Sequence, residues 1–132
     1  MSQENVEVVR QLIAALNERD VDRYLSLCTA EVEIAEPTTR LDGPSSRGPE
    51  NVRAFFARVE EGSTTFRIEV ERIDTVGRDR VLVFGQVKVV STSGVALEHS
   101  TTNVYQLSAG KLRRVDVYFD REEALEAHGL AD

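Results

Sequence analysis

One cysteine, two histidines and a shortage of positive charge narrow what this 132-residue chain can do. Cys28 has no second cysteine to pair with, and no His, Cys or carboxylate pair stands at ligand spacing, so neither a disulfide framework nor a metal site is expected. Sixteen Lys and Arg face 23 Asp and Glu, a formal charge of -7. That balance repels phosphate backbones and anionic lipid heads, which makes nucleic acid and membrane surfaces poor candidates for partners. No apolar run approaches the roughly 20 residues a bilayer crossing needs. The opening MSQENVEVVR lacks the basic and apolar blocks of a signal peptide, and neither Gly-rich stretch carries a P-loop or dinucleotide fingerprint. The expectation is a cytoplasmic protein without metal or cofactor. Repeats, low-complexity tracts and linkers are missing too, so residues 1–132 read as a single domain, and 41% hydrophobic residues suffice for a core.

What is present divides into a helical half and a strand half. From Glu4 to Asn17, Val6, Val9, Ile13 and Leu16 recur at helical spacing opposite Glu7, Arg10, Gln11 and Glu18, which predicts an amphipathic helix. Asp20 or Asp22 caps a second helix carrying Val21, Tyr24, Leu25 and Cys28, completing a hairpin with Cys28 in the core. Glu31 to Glu36 alternates acidic and apolar residues until Pro37, which predicts a short strand followed by a loop to Gly48. Pro49 opens a third helix with Val52, Phe55, Phe56 and Val59 on its buried stripe, and Gly62 ends it. From Thr64 to Asp120 four strands follow, broken at Gly77-Arg78-Asp79, Ser93-Gly94 and Ala109-Gly110, and consecutive strands this closely spaced predict an antiparallel meander. Asp120-Arg121-Glu122-Glu123 is a capping-box pattern for a last short helix ending at Gly129.

Alternation ranks the strand residues. Val115, Val117 and Phe119 form an apolar face that should turn inward, opposite Arg114, Asp116 and Tyr118. His99, Thr101, Asn103 and Tyr105 share one face of the preceding strand, opposite Glu98, Ser100, Thr102 and Val104, and apolarity does not choose between them. The strand Val81 to Val90 is apolar on both faces except for Gln86 and Lys88. Lys88 either faces a pocket with an acidic partner or sits near the strand end and snorkels to water. His128 falls in the last turn of the C-terminal helix, where positive charge suits the dipole. Arg78, Asp79 and Arg80, with Arg113 and Arg114, read as solvated turns and strand ends.

The segment VVRQLIAALNERDVDRYLSLCTAEVEIAEP, Val8 to Pro37, resembles the opening of ketosteroid isomerase and of SnoaL-like polyketide cyclases. NVYQLSAGKLRRVDVYFDREEALEAHGL, Asn103 to Leu130, resembles the end of limonene-1,2-epoxide hydrolase. The chain is thus similar to the nuclear transport factor 2-like superfamily, which implies an α+β fold. In that fold a cone-shaped, curved antiparallel sheet wraps around an N-terminal helical hairpin and a third helix, with a short C-terminal helix. The resemblance also implies a pocket for a small hydrophobic molecule, with the His99, Thr101, Asn103 face inside. Such superfolds specify architecture more strongly than chemistry.

Carried over residue by residue, the isomerase's general-base carboxylate before a proline falls on Glu36. Its oxyanion-site acid falls, with a one-residue gap, on Asn103, whose amide can donate without a shifted pKa. Its oxyanion-site tyrosine falls on Leu12, so steroid isomerisation itself is not expected. The hydrolase's arginine and two aspartates fall on Gln86, Lys88 and Val117, and its water-holding tyrosine and asparagine on Glu33 and Ala35, so epoxide hydrolysis is not expected either. The implied catalytic set is Glu36 as base with Asn103 or His99 as donor. Glu33, Leu12, Phe55, Phe56, Gln86, Lys88, Thr101, Val115, Val117 and Phe119 make up the implied ligand-binding set. Glu33 and Glu36 lie on different faces, and buried among Phe55, Phe56, Val117 and Phe119, Glu36 should have a raised pKa. Three functions fit: an enzyme moving a proton on an apolar, carbonyl-bearing ring compound, a noncatalytic binding pocket, and an interaction module. A homodimer through the outer sheet face, Arg114, Asp116 and Tyr118 with Glu98, Ser100 and Thr102, is expected in any of them.

Overall fold

The apolar stripe at the start of the chain folds into helix α1, Ser2–Asn17, with Val9, Leu12 and Ala15 fully buried and Glu4, Glu7 and Arg10 in solvent. The structure is a computed structural model describing residues 2–37 and 47–130. Arg19, at φ 59, turns the chain, and Asp20 caps α2, Val21–Ser26, by accepting the Arg23 N–H at 3.1 Å. Cys28 does not ride on this helix as expected. It opens strand β1, Cys28–Ala35, because the β-branched Thr29, Val32 and Ile34 that follow favour extended backbone. Its buried thiol donates to the Tyr24 carbonyl at 3.2 Å.

Of the loop expected from Pro37 to Gly48, positions 38–46 lie outside the described residues. Gly48 is required where it stands. Its φ is 81 and a Cβ there would lie 2.7 Å from the Ala30 carbonyl, while its own N–H donates to Val32 at 2.7 Å. Pro49 then starts α3, Pro49–Gly62.

Strands β2 (Ser63–Val76), β3 (Arg80–Ser91), β4 (Ala96–Ser108) and β5 (Lys111–Tyr118) form the predicted meander. The five strands order as β1-β5-β4-β3-β2 in one curved, unclosed sheet. The β1 to β5 pairing is parallel, so the sheet is mixed rather than wholly antiparallel. A parallel neighbour needs a long crossover, and here α3 and three strands separate β1 from β5.

The bend has a local cause. Pairing of β2 with β3 slips between Val70 and Arg72, so that Ile68 and Ile73, five apart, both face the core. Gly85 sits opposite, where a Cβ would approach the Glu69 carbonyl to 2.2 Å.

Three asparagines fasten helices to sheet. Asn17 pairs with the Ile68 backbone as a strand would, accepting at 2.8 Å and donating at 3.0 Å. Asn5 donates to the Arg78 carbonyl, and Asn51 of α3 accepts the Ile34 N–H at 2.7 Å, setting β1 against α3. Inside the sheet Val81, Val83, Tyr105 and Val115 share one buried cluster with Val9, Leu12, Ile13 and Leu16 of α1. Outside, helix α4, Arg121–Ala127, capped by Asp120, lays Ala124 and Leu125 on Leu82, Phe84, Val104 and Tyr118.

This second apolar layer explains why β3 reads as apolar on both sides. It also corrects the expected outer patch, because Asp116, Tyr118 and Thr102 are buried on that side, whereas Glu98 and Ser100 remain exposed.

Candidate functional site

A cavity of about 370 Å³ lies between the inner sheet face and the helices, within the range of small-ligand sites. Apolar side chains from every layer wall it, among them Leu16, Ile34, Phe55, Phe66, Val87 and Val117. The pairing Asn51 makes with Ile34 fixes the face β1 presents, and two residues on, Glu36 reaches the same cavity.

Glu36 forms an ion pair with Arg58, one α3 turn past Phe55. The guanidinium stands 6.0 Å from the Phe55 ring centre. The helix therefore presents Phe55, Arg58, Val59 and Gly62 to the cavity, an i, i+3, i+4, i+7 stripe.

The sheet supplies the polar floor. Thr101, Asn103 and Tyr105 alternate along β4 on the cavity side and are all buried. Thr101 donates to Asn103 Oδ1 at 2.9 Å, which leaves the Asn103 amide nitrogen as the donor end. Burial pushes the Tyr105 hydroxyl up to about 12, although the Asn103 side chain's hydrogen bond to it works the other way. Tyr24 of α2 reaches the same wall, and burial, reinforced by Tyr105 and Cys28, raises its hydroxyl well above the ordinary tyrosine value. At the rim His99 packs edge-on against Phe119, ring centres 4.8 Å apart, and its Nδ1 bonds the Ser100 carbonyl at 3.2 Å.

The structure thus brings Glu36, Asn103, His99, Phe55, Thr101, Val115, Val117 and Phe119 to one cavity. Other residues of the expected set lie elsewhere. Leu12 is fully buried in the helix–sheet core, and Phe56 faces Tyr24 behind Phe55, with ring centres 5.3 Å apart. Gln86 and Lys88 point to the outer face. Gln86 approaches Ser100, and Lys88 pairs with Glu69 at 3.0 Å, a contact that raises the ammonium pKa. Their parity opposes Val87 and Val89, which line the cavity.

Glu33 faces outward too, bonded to Arg114 at 3.0 Å. Arg114 continues to Asp116 at 2.8 Å, a contact that raises the guanidinium pKa, and His128 Nε2 lies 3.3 Å from Asp116 and 3.2 Å from the Tyr118 hydroxyl. His128 therefore belongs to a polar cluster beneath α4, beyond any effect on the helix dipole. Tyr24, Arg58 and Tyr105 were missed as site residues. Tyr105 shares the parity of His99 and Asn103, and Arg58 follows Phe55 by three, so both carried a signal.

A helical hairpin and third helix packed into a curved, unclosed mixed sheet around a cavity define the cone-shaped nuclear transport factor 2-like class. Within it, residues 9–115 match the SnoaL-like domain, and the chain belongs to that family. No curated protein matches the chain. Among solved structures it is similar to a nuclear transport factor 2-like protein of unknown function from Burkholderia pseudomallei, at 21% identity and TM-score 0.79 over 93% of this chain and 95% of that one. It is similar to TerC, co-crystallised with polyporic acid, at 25% identity and TM-score 0.77 over 96% and 97%. A putative SnoaL-like polyketide cyclase from Jannaschia sp. CCS1 superimposes with TM-score 0.76 at 20% identity over 99% and 95%. No helix among the described residues is long and apolar enough to cross a membrane.

Proposed function

We propose that the protein is a small-molecule enzyme that moves a proton on an apolar, carbonyl-bearing ring compound. The observation that carries this reading is that one carboxylate, Glu36 at the end of β1, and one buried amide, Asn103 on β4, reach the same apolar cavity from two strands of the sheet that flank β5. In the step envisaged, Glu36 takes a proton from the carbon beside the carbonyl, and the C–H electron pair moves onto the carbonyl oxygen. The Asn103 amide stabilises that oxyanion, backed by Thr101 and Tyr105. Return of the proton to the same or another carbon completes an exchange or an isomerisation. With Nδ1 on a carbonyl, His99 keeps Nε2 for a rim proton transfer. That TerC was co-crystallised with polyporic acid supports a small organic ligand.

The test is deuterium exchange beside the carbonyl of a bound cyclic ketone such as 2-tetralone, followed by NMR in heavy water. The wild type should accelerate exchange. Glu36→Gln should lose roughly 100-fold or more of that acceleration, as expected for removing a general base, and Asn103→Leu a comparable factor as an oxyanion donor. Binding of the ketone without accelerated exchange would favour instead the noncatalytic pocket, a reading to which the Glu36–Arg58 ion pair lends support because it occupies the base.

We also infer a homodimer, now resting on the part of the outer sheet face that α4 leaves uncovered. There Lys88 and Glu98 stand paired across β3 and β4 beside Gln86 and Ser100. A two-fold axis over this strip would set the Lys88 of each copy against the Glu98 of the other. Light scattering that returns a monomer mass at tens of micromolar would rule this out.

A further inference from the structure

Arg58 is the only Lys or Arg among the described residues that line the cavity, and it stands at the mouth. Its side chain is 51% exposed, whereas that of Glu36, its partner, is 23% exposed. An ion pair this open to water contributes little, so it yields to a better partner. Around it the cavity is built for an uncharged ring. Phe55 lies under the guanidinium, and across the rim stands Phe119, which keeps 57% of its surface in solvent despite lining the cavity. A chain of net charge -7 repels anions as a whole, so a single cation aimed over an aromatic wall is a selective feature rather than a general attraction.

We propose that Arg58 is an anion-binding residue and that the ligands of this cavity are apolar ring compounds bearing a carboxylate. The inference rests on the pocket reading above and narrows its substrate class. A ligand carboxylate offers the planar guanidinium two parallel N–H···O bonds, which a single glutamate oxygen does not. As the anion docks, Arg58 exchanges the Glu36 carboxylate for that of the ligand. Neutral ring compounds fit the same walls but make no such bond to Arg58.

The experiment compares biphenyl-4-carboxylate with its neutral isostere biphenyl-4-carboxamide by isothermal calorimetry. Wild type, Arg58→Gln, Arg58→Lys and Glu36→Gln proteins are used, each checked for its native circular dichroism. The carboxylate should bind the wild type roughly tenfold to a hundredfold more tightly, the usual range for a charge-assisted hydrogen bond. Arg58→Gln should abolish that preference while leaving carboxamide affinity intact. Arg58→Lys should keep part of it, and Glu36→Gln should tighten the carboxylate alone by removing its competitor. Equal affinities in the wild type, or a preference that survives Arg58→Gln, overturn the proposal while the pocket reading stands. If neither compound binds, both readings fall.

Discussion

Glu33, on β1, and Glu36, just past its end, stand three residues apart and face different worlds. Glu33 joins Arg114 and the Asp116–His128 cluster behind the sheet, and Glu36 joins Arg58 at the cavity. In the deuterium-exchange assay Glu33→Gln should therefore keep the wild-type acceleration that Glu36→Gln loses. A Glu33→Gln protein that unfolds no more easily yet loses exchange would reverse the assignment. That the two acids lie on different faces was legible in the sequence because strand parity acts locally, but which of them turns inward was not, since a strand end before proline can twist either way. Arg58 was not recognised, since an arginine beside a phenylalanine stripe reads as the solvent edge of a helix, and only the tertiary position of α3 turns that edge into a cavity mouth. Gln86 and Lys88 show the opposite error. Alignment to a relative's catalytic positions placed them inside, but their parity with the outward face of β3 decides otherwise.

At the scale of elements, turn chemistry carried the reading. Gly77, Gly94 and Gly110, each with positive φ, divide the meander where the sequence broke it, and Asp20 and Asp120 cap the helices expected of them. The slip in β2 and the parallel β1–β5 pair were not legible, because both depend on which backbone lies alongside rather than on local pattern. Gly85 is the hinge of that hidden feature, with Glu69 pressed against it. Gly85→Ala must push the bulge away or flatten the sheet, at a cost of roughly 1–3 kcal/mol for overpacking. Urea unfolding should register that loss, and the cavity should bind its ligands more weakly than the stability change alone requires, since the bend shapes the wall formed by Val87 and Val89. An unchanged midpoint would mean that the bend arises elsewhere.

For the molecule as a whole, the cavity floor couples folding to alkaline pH. Burial raises the Tyr24 hydroxyl well above its ordinary value and pushes the Tyr105 hydroxyl and the Cys28 thiol up to about 12. The folded protein thus holds these protons more tightly than the unfolded chain, whose reference values are 10.0 for tyrosine and 9.0 for cysteine. Below pH 9 both states are protonated at these groups, and their stabilising effect is fully present. Between pH 9 and about 12 the unfolded chain ionises while the folded one does not, so stability falls as pH rises through that window. Tyr105 alone accounts for about 3 kcal/mol of that fall, at 1.36 kcal/mol for each unit of pKa difference. Tyrosinate absorbance should accordingly grow in together with loss of the circular dichroism signal, in one cooperative step. In Tyr105→Phe the decline of the urea midpoint with pH should be shallower over the same window. Tyrosinate that forms near pH 10 while the helical signal is intact would mean that water reaches the floor, and the donor chain of Thr101, Asn103 and Tyr105 would then be too wet to hold an oxyanion.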